Sequence, residues 1–162
     1  MTLKKTGNWS RVGRIIHSLP HELREARRLC LERFALKVEG TAKTHISLQD
    51  LRWRPLKAKT IEAKIKKGES ENILVATSTY FQSITSYVKG NTAYAGVKRE
   101  ARYTGKDGSE EIAKIAAIHE YGSESGNIPK RELWKPSLEE TLQWTVDNNN
   151  PVKIFLDRIK RK

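Results

Sequence analysis

The pair His119-Glu120 comes closest in this chain to the start of a catalytic zinc motif. That motif requires a second histidine four residues after the first, so that two imidazoles leave one helix face toward one ion. Position 123 is Ser, and the pair is not completed. His17 and His21 do stand four apart, but Pro20 lies between them and no third ligand is evident; His45 stands alone. The single cysteine, Cys30, rules out an internal disulfide and a multi-cysteine metal site. Flanked by Leu29 and Leu31, it reads as a small buried apolar residue. The carboxylate pairs Glu110-Glu111 and Glu139-Glu140 are expected in the first turns of helices, where they favour the helix dipole over acid–base chemistry. Gly105-Lys106-Asp107-Gly108 lacks the strand–loop–helix setting and the trailing hydroxyl of a phosphate loop. No nucleophile elbow is present. The expectation is a chain that is not an enzyme, with no catalytic residue, no cofactor and no metal.

Charge is the stronger signal. The 162 residues carry a net charge of +12. Residues 1–67 hold 17 Lys and Arg against 6 acids, a surplus of 11, and the remaining 95 residues hold 14 against 13. A field so concentrated attracts nucleic acid or an acidic protein surface. Its densest stretch is Arg52, Arg54, Lys57, Lys59, Lys64, Lys66 and Lys67, opposed by Glu62 alone. Only Trp53 is interleaved with these cations, so the aromatic platform of a single-strand binder is missing. The stretch is a candidate docking face. Non-specific contact with DNA is its alternative use, as a small basic nucleic-acid-binding module.

Hydrophobic residues make up 37% and charged residues 31%, which implies a thin core. No apolar run approaches the roughly 18 residues that span a bilayer, and no membrane is expected among its partners. Residues 1–18 read as a basic arm with a short helix. From about Leu19 to Leu48 a helical stripe runs through Leu23, Ala26, Cys30, Phe34, Val38, Ala42 and His45. Ser18 is its expected cap, Pro20 falls in its first turn, and Gly40 is a possible bend. Pro55 breaks the helical pattern. A basic helix is expected from Lys57 to Lys67, closed by Gly68, then a short helix within Ile73–Phe81. The period next shifts to two, so Ile84–Lys89 and Ala93–Arg99 form a hairpin about Gly90-Asn91. A turn-rich excursion follows to Gly108. Ser109 is the expected cap of a helix ending at Gly122. Leu133-Trp134 reads as a third strand, Pro136 opens another helix, and Asn150-Pro151 starts a last basic one. The class is α+β: a long N-terminal helix and a C-terminal helix on a small antiparallel sheet. The division is a basic arm (1–18), one domain (19–146) and a basic tail helix (147–162).

Three segments, in order, resemble the virion morphogenesis family of tail-completion and neck proteins of tailed phages. Trp53-Arg54-Pro55-Leu56, Thr60 and the lysines to Gly68 are similar to the family's Trp-x-Pro-Leu, Thr and Lys-rich stretch. Residues 73–84 resemble its Thr-Gly-x-Leu-x-x-Ser-Ile, with Ser78 where Gly is usual and Tyr80-Phe81 in place of Leu. Ala117-Ile118-His119-Glu120-Tyr121-Gly122 with Ile128-Pro129-Lys130-Arg131 through Pro136 resembles Ala-x-Ile-His-Glu-Phe-Gly … Ile-Pro-x-Arg-x-Phe-Leu-x-Pro. The resemblance spans residues 53–136. It departs at 100–116, an excursion and helix where many relatives are compact. It implies a non-enzymatic virion protein that joins tail to head, with a tail terminator as the close alternative. Its partners would be copies of itself in a ring, six-fold or a multiple, and other connector, terminator or tail proteins. It would reside at the neck of the virion, and in the host cytoplasm during assembly. His119 and Glu120 become a hydrogen-bonding pair or an interface contact, Gly122 a sharp turn, and Pro129 a stiff approach to Leu133 and Trp134.

Overall fold

The computed structural model describes residues 7–105 and 108–161. The architecture is α+β, as the periodicity implies. Helix α1 (Trp9–Leu48) runs along one side, followed by α2 (Ala58–Lys66) and the one-turn α3 (Thr79–Ser83). Strands β1 (Ile84–Lys89) and β2 (Thr92–Val97) form an antiparallel hairpin, Ile84 opposite Val97 and Lys89 opposite Thr92. A second hairpin pairs β3 (Arg102–Gly105) with β4 (Gly108–Glu111). Helices α4 (Ile112–Tyr121), α5 (Trp134–Asn148) and α6 (Pro151–Lys160) complete the chain.

Several boundaries differ from those expected. Helix α1 starts ten residues earlier than Leu19, capped by the Asn8 side chain, which accepts from the Arg11 amide at 3.0 Å. Ser18 is no cap. Its hydroxyl donates back to the Ile15 carbonyl, and the helix passes through exposed Pro20. Most of the arm assigned to 1–18 is therefore the first turns of a 40-residue helix, about 60 Å long. Residues 1–6 lie outside the described residues. Along the stripe Ala26, Val38, Ala42 and His45 are buried, with Ala35 and Ile46 beside them, but Leu23 faces out. The end is set by Gln49, at φ 55°, whose side-chain amide exchanges hydrogen bonds with the backbone of Ile73.

The excursion at 100–108 contains the β3–β4 hairpin, so Glu110 and Glu111 lie in a strand and not in a first helical turn. They pair with Lys114 and Arg102. Ser109 is likewise in β4, and Glu111 precedes α4 without a side-chain cap. Lys106 and Asp107 of the weighed phosphate loop fall outside the described residues. Leu133-Trp134 is no strand: Leu133 is the cap residue and Trp134 the first residue of α5. Glu139 and Glu140 therefore sit past its first turn. Within the tail assigned to 147–162, the described residues from Asn149 to Arg158 dock on α1. Asn150 caps α6, Asn149 donates to the Cys30 carbonyl at 2.8 Å, and Arg158 pairs with buried Glu22 at 2.7 Å.

The core lies where α1 ends. Ala42 and Ile46 meet Tyr80, Ile84, Ile112, Ala116 and Leu133, with Trp53 and Trp134 packed at its edge. It is thin, as the composition requires.

Candidate functional site: a cleft where the three motif segments meet

The first two resembling segments follow one another closely in the chain, and the third, well separated from them in sequence, lies against them in space. Leu56, Thr60, His119 and Arg131 line two contiguous cavities, one of about 330 Å³ and one of about 480 Å³. The first extends along α2 and residues 73–80 toward Tyr103, Ile112 and Ile115. The second opens past Pro55 and Lys57 toward Asn127 and Pro129.

The backbone around the cleft is held by side chains. The Trp53 indole N–H donates to the Glu132 carbonyl at 2.9 Å, tying the first segment to the third. Glu120 accepts from the amides of Leu133 at 2.8 Å and Trp134 at 3.3 Å. These are orphan donors at the start of α5, so Glu120 is the remote cap that the helix lacks locally. Gly122 stands at φ 80°, and a Cβ there would lie 3.1 Å from the Lys130 nitrogen and 3.2 Å from the Ile128 oxygen. Only glycine fits this turn. Ser123 and Ile128 then pair across the following loop, and Pro129 carries the chain back to the Arg131 amide, which donates to the His119 carbonyl at 2.7 Å. Ser78, at φ 60°, occupies the left-handed region. A glycine at that point in the resembling motif has a physical reason.

His119 is not paired with Glu120. Its Nδ1 is buried without a hydrogen-bond partner. Burial, and then the nearby Arg131 charge, hold its pKa below the usual histidine range, so the ring is neutral near pH 7. Among the described residues no three His, Cys, Asp or Glu side chains converge as a metal site would need. Tyr80, buried beside this wall, has its pKa pushed up by burial and then by the Glu120 charge. Its phenol therefore stays protonated near pH 7.

The basic segment divides. Arg52, Arg54, Lys57, Lys59, Lys66 and Lys67 are exposed. Lys64 is not part of that face. Its ammonium donates to the carbonyls of Asn72 at 2.6 Å and Val75 at 3.3 Å, and burial lowers its pKa. Lys64 pins the 72–75 loop to α2. Pro136 lies at the third position of α5, on the wall of a shallow hollow shared with Arg52, Trp53 and Lys135. Sequence reasoning missed the bridging role of Gln49 and the buried ion pair of Glu22. Neither side chain has a local sequence signal, because both partners lie far along the chain.

A second surface is apolar. On the first half of α1, Trp9, Val12, Ile16 and Leu23 are exposed; Leu138, Leu142 and Val146 are exposed on α5, and Val152 and Leu156 on α6. The spacing of these residues follows one face of each helix. No described helix is long and apolar enough to cross a membrane. No protein-family model, curated protein or solved structure matches the chain.

Proposed function

We propose that this chain is a structural assembly subunit, one whose surfaces are completed by neighbours. More particularly, it is a neck or tail-completion protein of a tailed phage, joining tail to head as a subunit of a ring. The observation that carries this reading is the meeting of the three resembling segments at one cleft. Residues shared with the motif have jobs of shape there: Trp53 ties, Glu120 caps, Gly122 turns and Pro129 stiffens. Residues whose contacts fix shape suit a subunit whose function is its surface. The exposed apolar faces on α1, α5 and α6 support the same reading, since aligned apolar rows in water mark covered interfaces. Two different patches on one subunit are what a closed ring with head-to-tail contacts requires. The six exposed cations of the 52–67 segment suit docking to an acidic neighbour, with a tail terminator as the near alternative role.

A second reading, direct binding to nucleic acid, draws on the same six cations. One experiment separates the two. Changing Lys57, Lys59 and Lys67 to Glu should leave thermal stability unchanged, since exposed charges contribute little to folding. In particles assembled with this variant, heads and tails should remain unjoined, because clustered charge sets association rate and partner choice. Normal joining would remove the docking role of this face. Salt-dependent retention of the parent chain on DNA, lost in the variant while joining proceeds, would favour the second reading.

A further inference from the structure

Arg131 is the single Lys or Arg that is buried among the described residues, with 5% of its surface exposed. No carboxylate among the described residues pairs with it. Its Nε has no hydrogen-bond partner, and the guanidinium's one hydrogen bond, from Nη2 to the Arg54 carbonyl, is long at 3.4 Å. The acids around the cleft are engaged elsewhere. Glu69 acts on Lys64, and Glu120 holds the amides of Leu133 and Trp134. A guanidinium taken out of water with no counter-charge is costly to the fold, and it is retained at a wall shared by two cavities. Next to it stands the second orphan, Nδ1 of His119, on a neutral ring. The other walls are largely apolar: Leu56, Ile73, Val75, Tyr103 and Ile115.

We infer that this cleft is a socket for a neighbouring polypeptide, taking a carboxylate onto Arg131 and His119 and the adjoining apolar side chain against Leu56, Val75 and Ile115. The chemistry selects the occupant. A planar guanidinium matches a carboxylate bidentately, and the pairing is strongest where water is excluded. At about 330 Å³ the first cavity is at the small end of ligand sites, with space for one or two side chains. A phosphodiester would satisfy the cation but leave the apolar walls unfilled. Exposed Arg54 and Lys57 at the second cavity add a positive rim that attracts an acidic segment. The inference deepens the assembly reading by giving the chemistry of one partner. It rests on that reading only for the partner's origin in the virion.

The test uses the full chain, labelled with ¹⁵N, and three probes: acetyl-Ile-Glu-Leu-amide, its Gln counterpart, and inorganic phosphate. The Glu peptide should saturate and shift the Arg131 Nε–H signal, with the Gln peptide at least tenfold weaker and phosphate weaker still. Arg131→Met should fold with an unchanged or higher melting temperature, since an uncompensated buried charge is removed, and should lose the preference for Glu. Thr60→Phe fills part of the cleft while keeping the Arg131 guanidinium in the chain and should weaken the Glu peptide tenfold or more. Equal binding of the two peptides, no saturation by the Glu peptide, or phosphate binding more tightly than the peptide would each overturn the inference. So would a lower melting temperature for Arg131→Met, which would make the guanidinium a structural group, or unchanged binding by Thr60→Phe. Failure of these measurements leaves the neck assignment standing, because that assignment is read from particles and not from peptides.

Discussion

Between Trp53 and Pro136 the chain turns polar side chains inward to fix its own backbone, whereas the layer formed by α1, α5 and α6 turns apolar side chains outward. In the first region the indole of Trp53, the carboxylate of Glu120 and the ammonium of Lys64 each satisfy backbone groups more than seven residues away. In the second, Leu142 and Val146 lie in water while Thr141, Ser137 and Asn149 are buried among the helices. The contrast separates a region that fixes its own backbone from one that, under the proposed function, meets neighbours. A loop-rich cleft holds its geometry through specific polar anchors, so single substitutions there should be felt in stability. A helical layer with exposed leucines should tolerate substitution alone and fail in company.

The largest effect is expected at Gly122. Gly122→Ala forces a Cβ to within 3.1 Å of the Lys130 nitrogen at a φ of 80°, and should cost about 2–3 kcal/mol in denaturant unfolding. A loss below about 0.5 kcal/mol would mean that the turn relaxes freely and that the cleft is not rigid.

Glu120→Ala comes next. It leaves the amides of Leu133 and Trp134 without their acceptor, a loss of about 1–2 kcal/mol by the scale of helix caps. Hydrogen exchange should quicken first at the start of α5. If exchange there is unchanged, Glu120 does not serve as the cap.

A gain is expected at Ser78. Ser78→Gly relieves a left-handed residue at φ 60° and should stabilise by roughly 0.5–1 kcal/mol, less than the strain itself because glycine also loosens the unfolded chain. Destabilisation would show that the hydroxyl matters more than the backbone.

The smallest stability effect belongs to the other region. Leu142→Gln with Val146→Gln should change unfolding free energy by less than about 0.5 kcal/mol per site, as surface substitutions do. Incorporation into particles should nevertheless fall sharply. Equal incorporation would make these residues an ordinary surface and erase the contrast between the two regions.

The two regions were also unequally legible. Periodicity gave the helical layer its class and its α6 cap, since Asn150 and Pro151 act locally. It failed at the start of α1, because an internal proline on an exposed face passes for a first-turn proline, while the true cap lies in the less apolar stretch at Asn8. Glu22 is buried against Arg158, a partner 136 residues away that no local pattern could supply. In the cleft the order was reversed. Local patterning misread Leu133-Trp134 as a strand, because the cap of α5 comes from Glu120, thirteen residues earlier. The motif segments do come together, with Leu56, Thr60, His119 and Arg131 on shared walls. What they could not give was role: His119 and Glu120 look like a pair in sequence, yet one faces the cleft and the other a helix end. Lys64 shows the same limit, a lysine in a basic run that serves the fold.

The most direct test of the account is a cryo-EM reconstruction of tailed particles assembled with this subunit. The account predicts density for the chain in a closed ring between head and tail, with the exposed apolar faces of α1, α5 and α6 covered by neighbours. Intact, joined particles with no density for it there would contradict that claim.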